Sequence, residues 1–291
     1  MALVSLTHVL SACLTQRRAV AGVVVLGWED AVAYVQAAEA EGCPLILQAG
    51  PGARAHTPLS VLGAMFRTLG ERARVPVVAH LDHGESLAVC AEAIACGFTS
   101  VMYDGSALPL TENIARTGEV VAMAHEQGIS VEGELGFVGY AAGVGRSGAP
   151  SLGTDPAEVA RFAAKTGVDA LAISVGNSHL MTKVGAQIDW PRLHAVQAAA
   201  PALPLVLHGG SGLDHALRAK LAGETNVCKF NIGTELRQAF GTALRDSLAR
   251  DPARFDRIQI LRDTIDPVAQ ATRRALRSLG PAPMLVGSRR N

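Results

Sequence analysis

At 291 residues, with 49% hydrophobic residues, the chain is long enough to bury a substantial core, and α/β barrels of this size are often one domain. Acidic and basic side chains balance to a formal charge of zero, which gives no footing to nucleic acid, a membrane surface or a polyanionic partner and points to a small substrate. Five scattered cysteines, odd in number and without a CxxC pair, fit a reducing compartment rather than a disulfide framework, so the expected location is the cytoplasm.

The first residues, "MALVSLTHVLSACL" (1–14), are apolar, but no Lys or Arg precedes them, and Ser5, Thr7 and His8 interrupt the run. We therefore expect a helix over 4–17 rather than a secretory leader. No other segment approaches the roughly 18 apolar residues of a membrane span. Runs rich in Val, Ile and Leu then recur at 19–26, 44–48, 75–81, 98–103, 129–135, 169–175, 203–208 and 227–232. Most lack the alternation of a half-exposed strand and read as parallel strands buried on both faces. Helical spacing fills 29–41, 57–70, 86–96, 110–127, 155–166, 189–199, 213–222 and 234–249, several of these ending at Gly42, Gly97, Gly128 or Gly167. Strand and helix alternating eight times predict an α/β fold, a (β/α)8 TIM barrel, spanning 1–291 as one domain. A C-terminal helical arm is expected over about 252–279.

The longest loop, "GFVGYAAGVGRSGAPSLGTDP" (136–156), holds six glycines and almost no apolar anchor, and reads as a mobile lid. Its "GVGRSG" (143–148) matches GxGxxG formally. The strand before it, the helix after it and the acidic residue about 20 positions on, which a dinucleotide site needs, are all missing.

The C-terminal strand ends form the active face of such a barrel. They carry His80, Asp82 and His83 after the third strand, Asp104 after the fourth, and Glu132 and Glu134 on the fifth. The sixth ends in Asn177, Ser178 and His179, the seventh in His208 and the eighth in Asn231. A lone histidine at a strand end is more often a satisfied structural residue than a ligand. Histidines on the third, sixth and seventh strands with carboxylates between them make the donor set of a catalytic zinc site with an open position. His8, His125, His194 and His215 fall on expected helices and His56 beside a helix cap, where surface or capping roles suffice. "HGGSGLD" (208–214) and "FNIGTEL" (230–236) each pass from strand through a turn into a helix. The backbone N–H groups of the first turn, those of Gly209 and Gly210 among them, can cradle a phosphate with the Ser211 hydroxyl, as can the second turn through Asn231, Gly233 and Thr234.

At "HLDHGES" (80–86), "TSVMYDGS" (99–106), "VEGELG" (131–136), "HGGSG" (208–212) and "FNIGTEL" (230–236) the sequence resembles the class II, zinc-dependent ketose-bisphosphate aldolases, the fructose- and tagatose-bisphosphate aldolase family. The resemblance runs from residue 3 through the eighth barrel helix. It implies that His83, His179 and His208 hold Zn2+ or another divalent metal, that Asp104 and Glu134 are supporting or alternative metal carboxylates, and that Asp82 is the acid/base on the C4 hydroxyl. It implies that Lys183, Gly209, Ser211, Asn231 and Thr234 hold the dihydroxyacetone-phosphate end, and leaves room for a monovalent cation near Gly209. The implied substrate is a small phosphorylated sugar, and the implied assembly a homodimer or homotetramer. The chemistry agrees: cleaving a C3–C4 bond beside a ketone leaves an enediolate whose charge a Lewis acid can spread.

The sequence departs from the family at several points. Val24 stands where the first strand usually carries Asn, Gly50 where Ser follows the second, and Leu180 where Gly follows the second zinc histidine. No carboxylate follows Glu134 in 134–145, so Tyr140, another carboxylate or water takes over its proton exchange, or that half-reaction is absent. Gly233 replaces an Asp common in fructose-bisphosphate enzymes, which argues for a tagatose-bisphosphate-like or related ketose. Competing readings are a Schiff-base aldolase using Lys183 or Lys229, a metal-binding barrel that only binds sugar phosphates, and a zinc hydrolase.

Overall fold

The eight apolar runs become eight parallel strands: β1 (Val20–Val24), β2 (Leu45–Ala49), β3 (Val77–Gly84), β4 (Ser100–Tyr103), β5 (Ser130–Leu135), β6 (Ala170–Ile173), β7 (Leu205–Leu207) and β8 (Val227–Ile232). They pair in chain order, and β8 returns to β1 to close the barrel. The computed structural model describes residues 3–140 and 152–280. Around the barrel lie α2 (Trp28–Glu41), α3 (Pro51–His56), α4 (Leu59–Arg72), α5 (Leu87–Ala95), α6 (Leu110–His125), α7 (Pro156–Thr166), α8 (Trp190–Ala199), α9 (His215–Glu224) and α10 (Thr234–Arg250). The chain enters through α1 (Leu6–Gln16) and leaves through α11 (Arg257–Arg277), the two extra helices expected from the sequence.

The continuous apolar runs have two buried sides to satisfy. On β3, Val77, Ala79 and Leu81 face the helices and join the main core, whereas Val78 faces inward. The inner cluster gathers Val20, Ile46, Val78, Met102, Ala170, Ala172, Val206 and Cys228 with Leu6, Val9, Leu10 and Cys13 of α1. The helix α1 is thus the plug at the N-terminal mouth, held by Val4 N donating to Val77 O and by Thr7 bonding Ser130 Oγ.

Two interruptions of strand register decide what faces the opposite mouth. Between β3 and β4 the pairing steps from Leu81–Val101 to Gly84–Tyr103, so β3 carries one extra residue. Between β7 and β8 it steps from Leu205–Val227 to Val206–Lys229, passing over Cys228. A bulge breaks the two-residue alternation of side chains, so adjacent residues can share a face.

The elements differ from the sequence expectation at two notable places. The helix α3 was not expected, because Pro51–Gly52 reads as a turn; proline at a helix start removes only an N–H that lacks a partner anyway. The arm begins at Arg257 rather than near 252, since the Asp256 side chain accepts from Ile258 N and Gln259 N and fixes the start. The "GVGRSG" segment (143–148) of the expected lid lies outside the described residues; at the lid's ends Phe137 and Leu152 exchange backbone hydrogen bonds of 2.8 and 2.9 Å.

Candidate active site

Strict alternation on β3 would send Asp82 inward and His83 out. The extra residue lets both face the cavity, with His83 in a left-handed conformation at φ 50°. Arg54 of α3 braces this turn. Its guanidinium donates to Asp82 O at 2.8 Å and His83 O at 3.1 Å, and pairs with Glu85. His179 follows β6, where its backbone N–H donates to Gly139 O at 2.8 Å. His208 directly follows β7 and is fully buried.

The three rings converge, with centroids 4.6 Å apart for His83 and His208, 5.1 Å for His83 and His179, and 5.4 Å for His179 and His208. One ligand nitrogen from each lies within 4.8 Å of the others, and His83, Asp104 and Glu134 form a second such group. Each ring's other nitrogen has a defined role where a partner exists. His83 Nδ1 bonds Asp104 Oδ2 at 2.7 Å, leaving Nε2 to ligate. His208 Nε2 bonds Glu132 Oε1 at 3.2 Å, leaving Nδ1 to ligate. A carboxylate on the far nitrogen fixes the tautomer and orientation of a metal-binding imidazole.

These residues fit a divalent metal. His208 Nδ1 and Glu134 Oε2 are buried, have no hydrogen-bond partner among the described residues, and face each other at 3.5 Å. Two lone-pair atoms so placed repel unless a proton or a cation lies between them; burial and then Asp104 push the Glu134 carboxyl well above the usual carboxylate range, so the metal-free pair favours a proton there and a bound cation would take its place. Burial, then His83 and His208, keep the His179 imidazole neutral, and burial lowers His208 as well. At His83 burial works the same way, but the Asp82, Asp104 and Glu134 carboxylates override it and push the pKa up to about 10. The carboxylates around His83 therefore favour positive charge beside that ring, while His179 and His208 stay neutral, as ligating imidazoles must.

Beside the histidines, Asp82 Oδ1 accepts from Gln48 Nε2 at 2.8 Å and from Asn231 Nδ2 at 2.9 Å. Burial alone would raise the Asp82 carboxyl; His83, His208 and Lys229 outweigh it and hold the pKa below the usual carboxylate value. Gln48 of β2 has room for its amide because the neighbouring β1 presents Gly22, where a Cβ would stand 1.8 Å from Gln48 Oε1. One layer deeper, Lys229 Nζ donates to Glu132 Oε2 at 2.7 Å and to His80 Nε2 at 3.3 Å, while His80 Nδ1 bonds Ser100 Oγ at 2.8 Å. Burial and Lys229 lower His80 to about 3, so its 3.6 Å approach to Glu132 is not an ion pair. His80 thus belongs to the supporting layer and not to the metal group.

A cavity of about 510 Å³ opens above, lined by Asp82, His83, Asp104, His179, Gly209, Ser211, Asn231, Gly233 and Thr234 among others, a size suited to a small molecule. Gly210 lies buried just beneath, opening the turn Gly210–Gly212. Tyr140 also lines the cavity, its ring 5.1 Å from that of His179. Val24 and Gly50, the two departures on the first strands, lie on this wall. Leu180 takes φ 56°, so the chain keeps at this position a left-handed backbone that glycine adopts more readily. Lys183 is not brought in: it is exposed and does not line the cavity. The remaining five histidines, His8, His56, His125, His194 and His215, are exposed on the surface.

Sequence reasoning missed Gln48, the supporting role of Glu132 and Lys229, and Arg237, the one Lys or Arg lining the cavity among the described residues. Gln48 was legible as an amide inside an otherwise apolar run. Arg237 was not, since it sits a turn into α10, beyond the strand ends where functional groups were sought.

Comparison with known proteins agrees with this geometry. The family model described as fructose-bisphosphate aldolase class-II matches residues 4–283. A probable fructose-bisphosphate aldolase of Bacillus subtilis (strain 168) is 37% identical over 265 residues, covering 88% of this chain and 90% of the relative. A 6-phospho-5-dehydro-2-deoxy-D-gluconate aldolase of Shouchella clausii (strain KSM-K16) is 35% identical over 270 residues, covering 90% and 89%. Among solved structures, the YdjI aldolase from Escherichia coli K12 superposes with a TM-score of 0.81 at 28% identity, over 96% of this chain and 98% of that one. With the barrel, the histidine cluster and its carboxylates in place, the chain belongs to the class II fructose-bisphosphate aldolase family and is an enzyme of the lyase type.

Proposed function

We propose that the protein reversibly cleaves the C3–C4 bond of a phosphorylated ketose, giving dihydroxyacetone phosphate and an aldehyde. The observation that carries this reading is the juxtaposition, in one cavity, of three imidazoles with ligating nitrogens turned together and a carboxylate, Asp82, held ionised beside them. His83, His179 and His208 would hold the metal, and three imidazoles suit zinc. A metal held by these residues would supply Lewis-acid stabilisation of the negative charge that cleavage leaves on the ketose fragment.

This chain's own groups do the rest. Asp82 takes the proton of the C4 hydroxyl as the C3–C4 bond breaks and returns it during condensation. Its unencumbered oxygen, Oδ2, lies toward Gly50, where a Cβ would stand 3.3 Å away, so the small residue keeps that side open. Gln48 and Asn231, donating to Oδ1, fix the carboxylate's orientation. The turns at 209–211 and 233–235 hold the phosphate; Ser211 Oγ accepts from Glu235 N at 3.3 Å, which leaves its hydroxyl proton for the ligand. We assign proton exchange at the donor carbon to Tyr140, over another carboxylate or water, because it lines the cavity in a loop without a carboxylate at 135–145.

The two relatives above act on different substrates at nearly equal identity, so the phosphorylated keto end is the common element and the aldehyde end varies. Lys229 is fully buried and paired with Glu132, and Lys183 stands outside the cavity, so a Schiff-base mechanism lacks its amine. The test is metal analysis followed by a panel of ketose phosphates including tagatose and fructose bisphosphates. We expect about one zinc per chain, turnover of at least one substrate, loss of turnover with a chelator, and none with borohydride. Undiminished turnover after complete metal removal overturns the reading.

A further inference from the structure

Asp82 and His83, the acid/base and one of the three imidazoles, stand side by side on irregular backbone. The β3–β4 register passes from Leu81–Val101 to Gly84–Tyr103, so both residues fall between paired positions. On the other side the β2–β3 ladder ends at Ala49–Leu81, just before them. His83 holds φ 50°, a left-handed conformation that a residue with a Cβ keeps only where its surroundings compensate. Its own N–H donates to a thioether, Met102 Sδ at 3.4 Å, which is a weak acceptor.

The strong bonds to this turn come from one side chain of the unexpected helix α3. Arg54 Nη1 donates to Asp82 O at 2.8 Å and to Ala49 O at 3.4 Å. Its Nη2 donates to His83 O at 3.1 Å and pairs with Glu85, the residue after Gly84. One guanidinium thus joins the end of β2, both residues that the register passes over, and the approach to α5. A planar fork can serve two carbonyls and a carboxylate at once, which a lysine's single ammonium cannot do in the same geometry. The Arg54 side chain is 10% exposed, so little water competes for these bonds. Pro51, Gly52 and Ala53 of α3 line the cavity, whereas Arg54 lies behind that wall.

We propose that Arg54 is a positioning residue: by holding the carbonyls of Asp82 and His83 it keeps the ligating imidazole and the acid/base carboxylate turned into one cavity. It acts through those two residues and not on the substrate. The proposal rests on the aldolase reading for its effect on turnover, but not for its effect on metal binding.

The experiment compares the full-length unchanged protein with Arg54→Met and Arg54→Lys, and with Ile46→Ala, which loosens the opposite mouth of the barrel. Zn2+ affinity per folded molecule is measured by competition with a chromophoric chelator, and the visible spectrum is recorded with Co2+ in place of Zn2+. We expect Arg54→Met to weaken Zn2+ binding about 10- to 100-fold, the usual scale for a group that orients a ligand, and to alter the Co2+ spectrum. Its kcat on a ketose phosphate should fall about 10²-fold as Asp82 is misplaced, with KM changed less than about threefold. Arg54→Lys should show the same changes at smaller size, and Ile46→Ala should lose stability without them. Zn2+ affinity and Co2+ spectrum equal to those of the unchanged protein in Arg54→Met overturn the proposal, and the same equality in Arg54→Lys does so if the Met form does not fold. A matching loss of metal affinity in Ile46→Ala also overturns it, since the effect would then be one of stability alone. Weaker Zn2+ binding in Arg54→Met, with no turnover of any ketose phosphate by the unchanged protein, supports the positioning role and sinks the aldolase reading.

Discussion

The two halves of the barrel interior are built from the same strands and could hardly differ more. Toward the N-terminal mouth, Val20, Ile46, Val78, Met102 and Val206 pack against α1 with no charged group. Two residues further along the same strands stand Gln48, His80 and His208, with Glu132 and Lys229 between them. The lower layer is stabilised by area removed from water, at roughly 25 cal/mol per Å², and asks only for the right volume. The upper layer holds charges at zero exposure and is stable only because each meets its partner. What the difference teaches is that the fold is anchored at one end so that the other can carry a cation site.

The largest expected effect comes from removing a ligand. His208→Ala takes away one of the three imidazoles and leaves Glu132 without the bond at 3.2 Å. Metal analysis should find the ion lost, and turnover should drop at least about 10³-fold, the scale of several kcal/mol of Lewis-acid help. A variant that keeps stoichiometric metal and activity would break the assignment of the upper layer as its support.

Next comes a matched pair, one change in each layer. Lys229→Met leaves Glu132 as a buried carboxylate without its cation and should cost about 3–5 kcal/mol in denaturant unfolding. It should also weaken metal binding, since Glu132 orients His208. Ile46→Ala below should cost a similar 2–5 kcal/mol through the cavity it opens, with metal affinity per folded molecule preserved. Equal loss of metal affinity in both would show that the two layers are not separable. Smaller again, Asp82→Ala should retain metal and lose turnover by about 10² or more, the usual contribution of a positioned acid/base; full activity in that variant removes Asp82 from the mechanism.

Legibility in the sequence followed the same division. The lower layer and the outer core were readable, because strands buried on both faces produce continuous apolar runs such as "VPVVAHL" and the glycines after helices mark their ends. That His83, His179, His208 and Asp82 would meet at one mouth of the barrel was readable from their strand-end positions. What could not be read was parity. Alternation alone cannot place Asp82 and His83 on one face, and nothing in "VCKFNI" announces that a register shift turns Lys229 inward, where it is no nucleophile. Lys183 was assigned to the phosphate by resemblance, whereas the cavity wall receives Arg237 from a helix, one turn past the place where a strand-end reading stops.

An ion pair on the outer wall measures how much the buried setting matters. Glu41 of α2 bonds Arg273 Nε at 2.6 Å and Arg277 Nε at 2.8 Å, tying α11 to the barrel as Lys229 ties Glu132 inside it. The two arginine side chains are 41% and 60% exposed, so water screens what the geometry offers. The Arg277 hydrogen bond, with that of Arg273, lowers the Glu41 pKa in the folded protein. A carboxylate lowered on folding stabilises the fold above its unfolded pKa of about 4.3, and that contribution disappears as pH falls through the folded value. Glu41→Gln should therefore lower Tm by no more than about 2 °C at pH 7. The difference should be flat from there to about pH 5, decline as pH passes below the unfolded pKa, and vanish only once it lies below the lowered folded value, where the unchanged protein has lost the same charge. A drop at pH 7 as large as that of Lys229→Met would mean that α11 shields this pair as thoroughly as the barrel shields the inner one, and that the contrast between dry and wet charges does not extend to the arm.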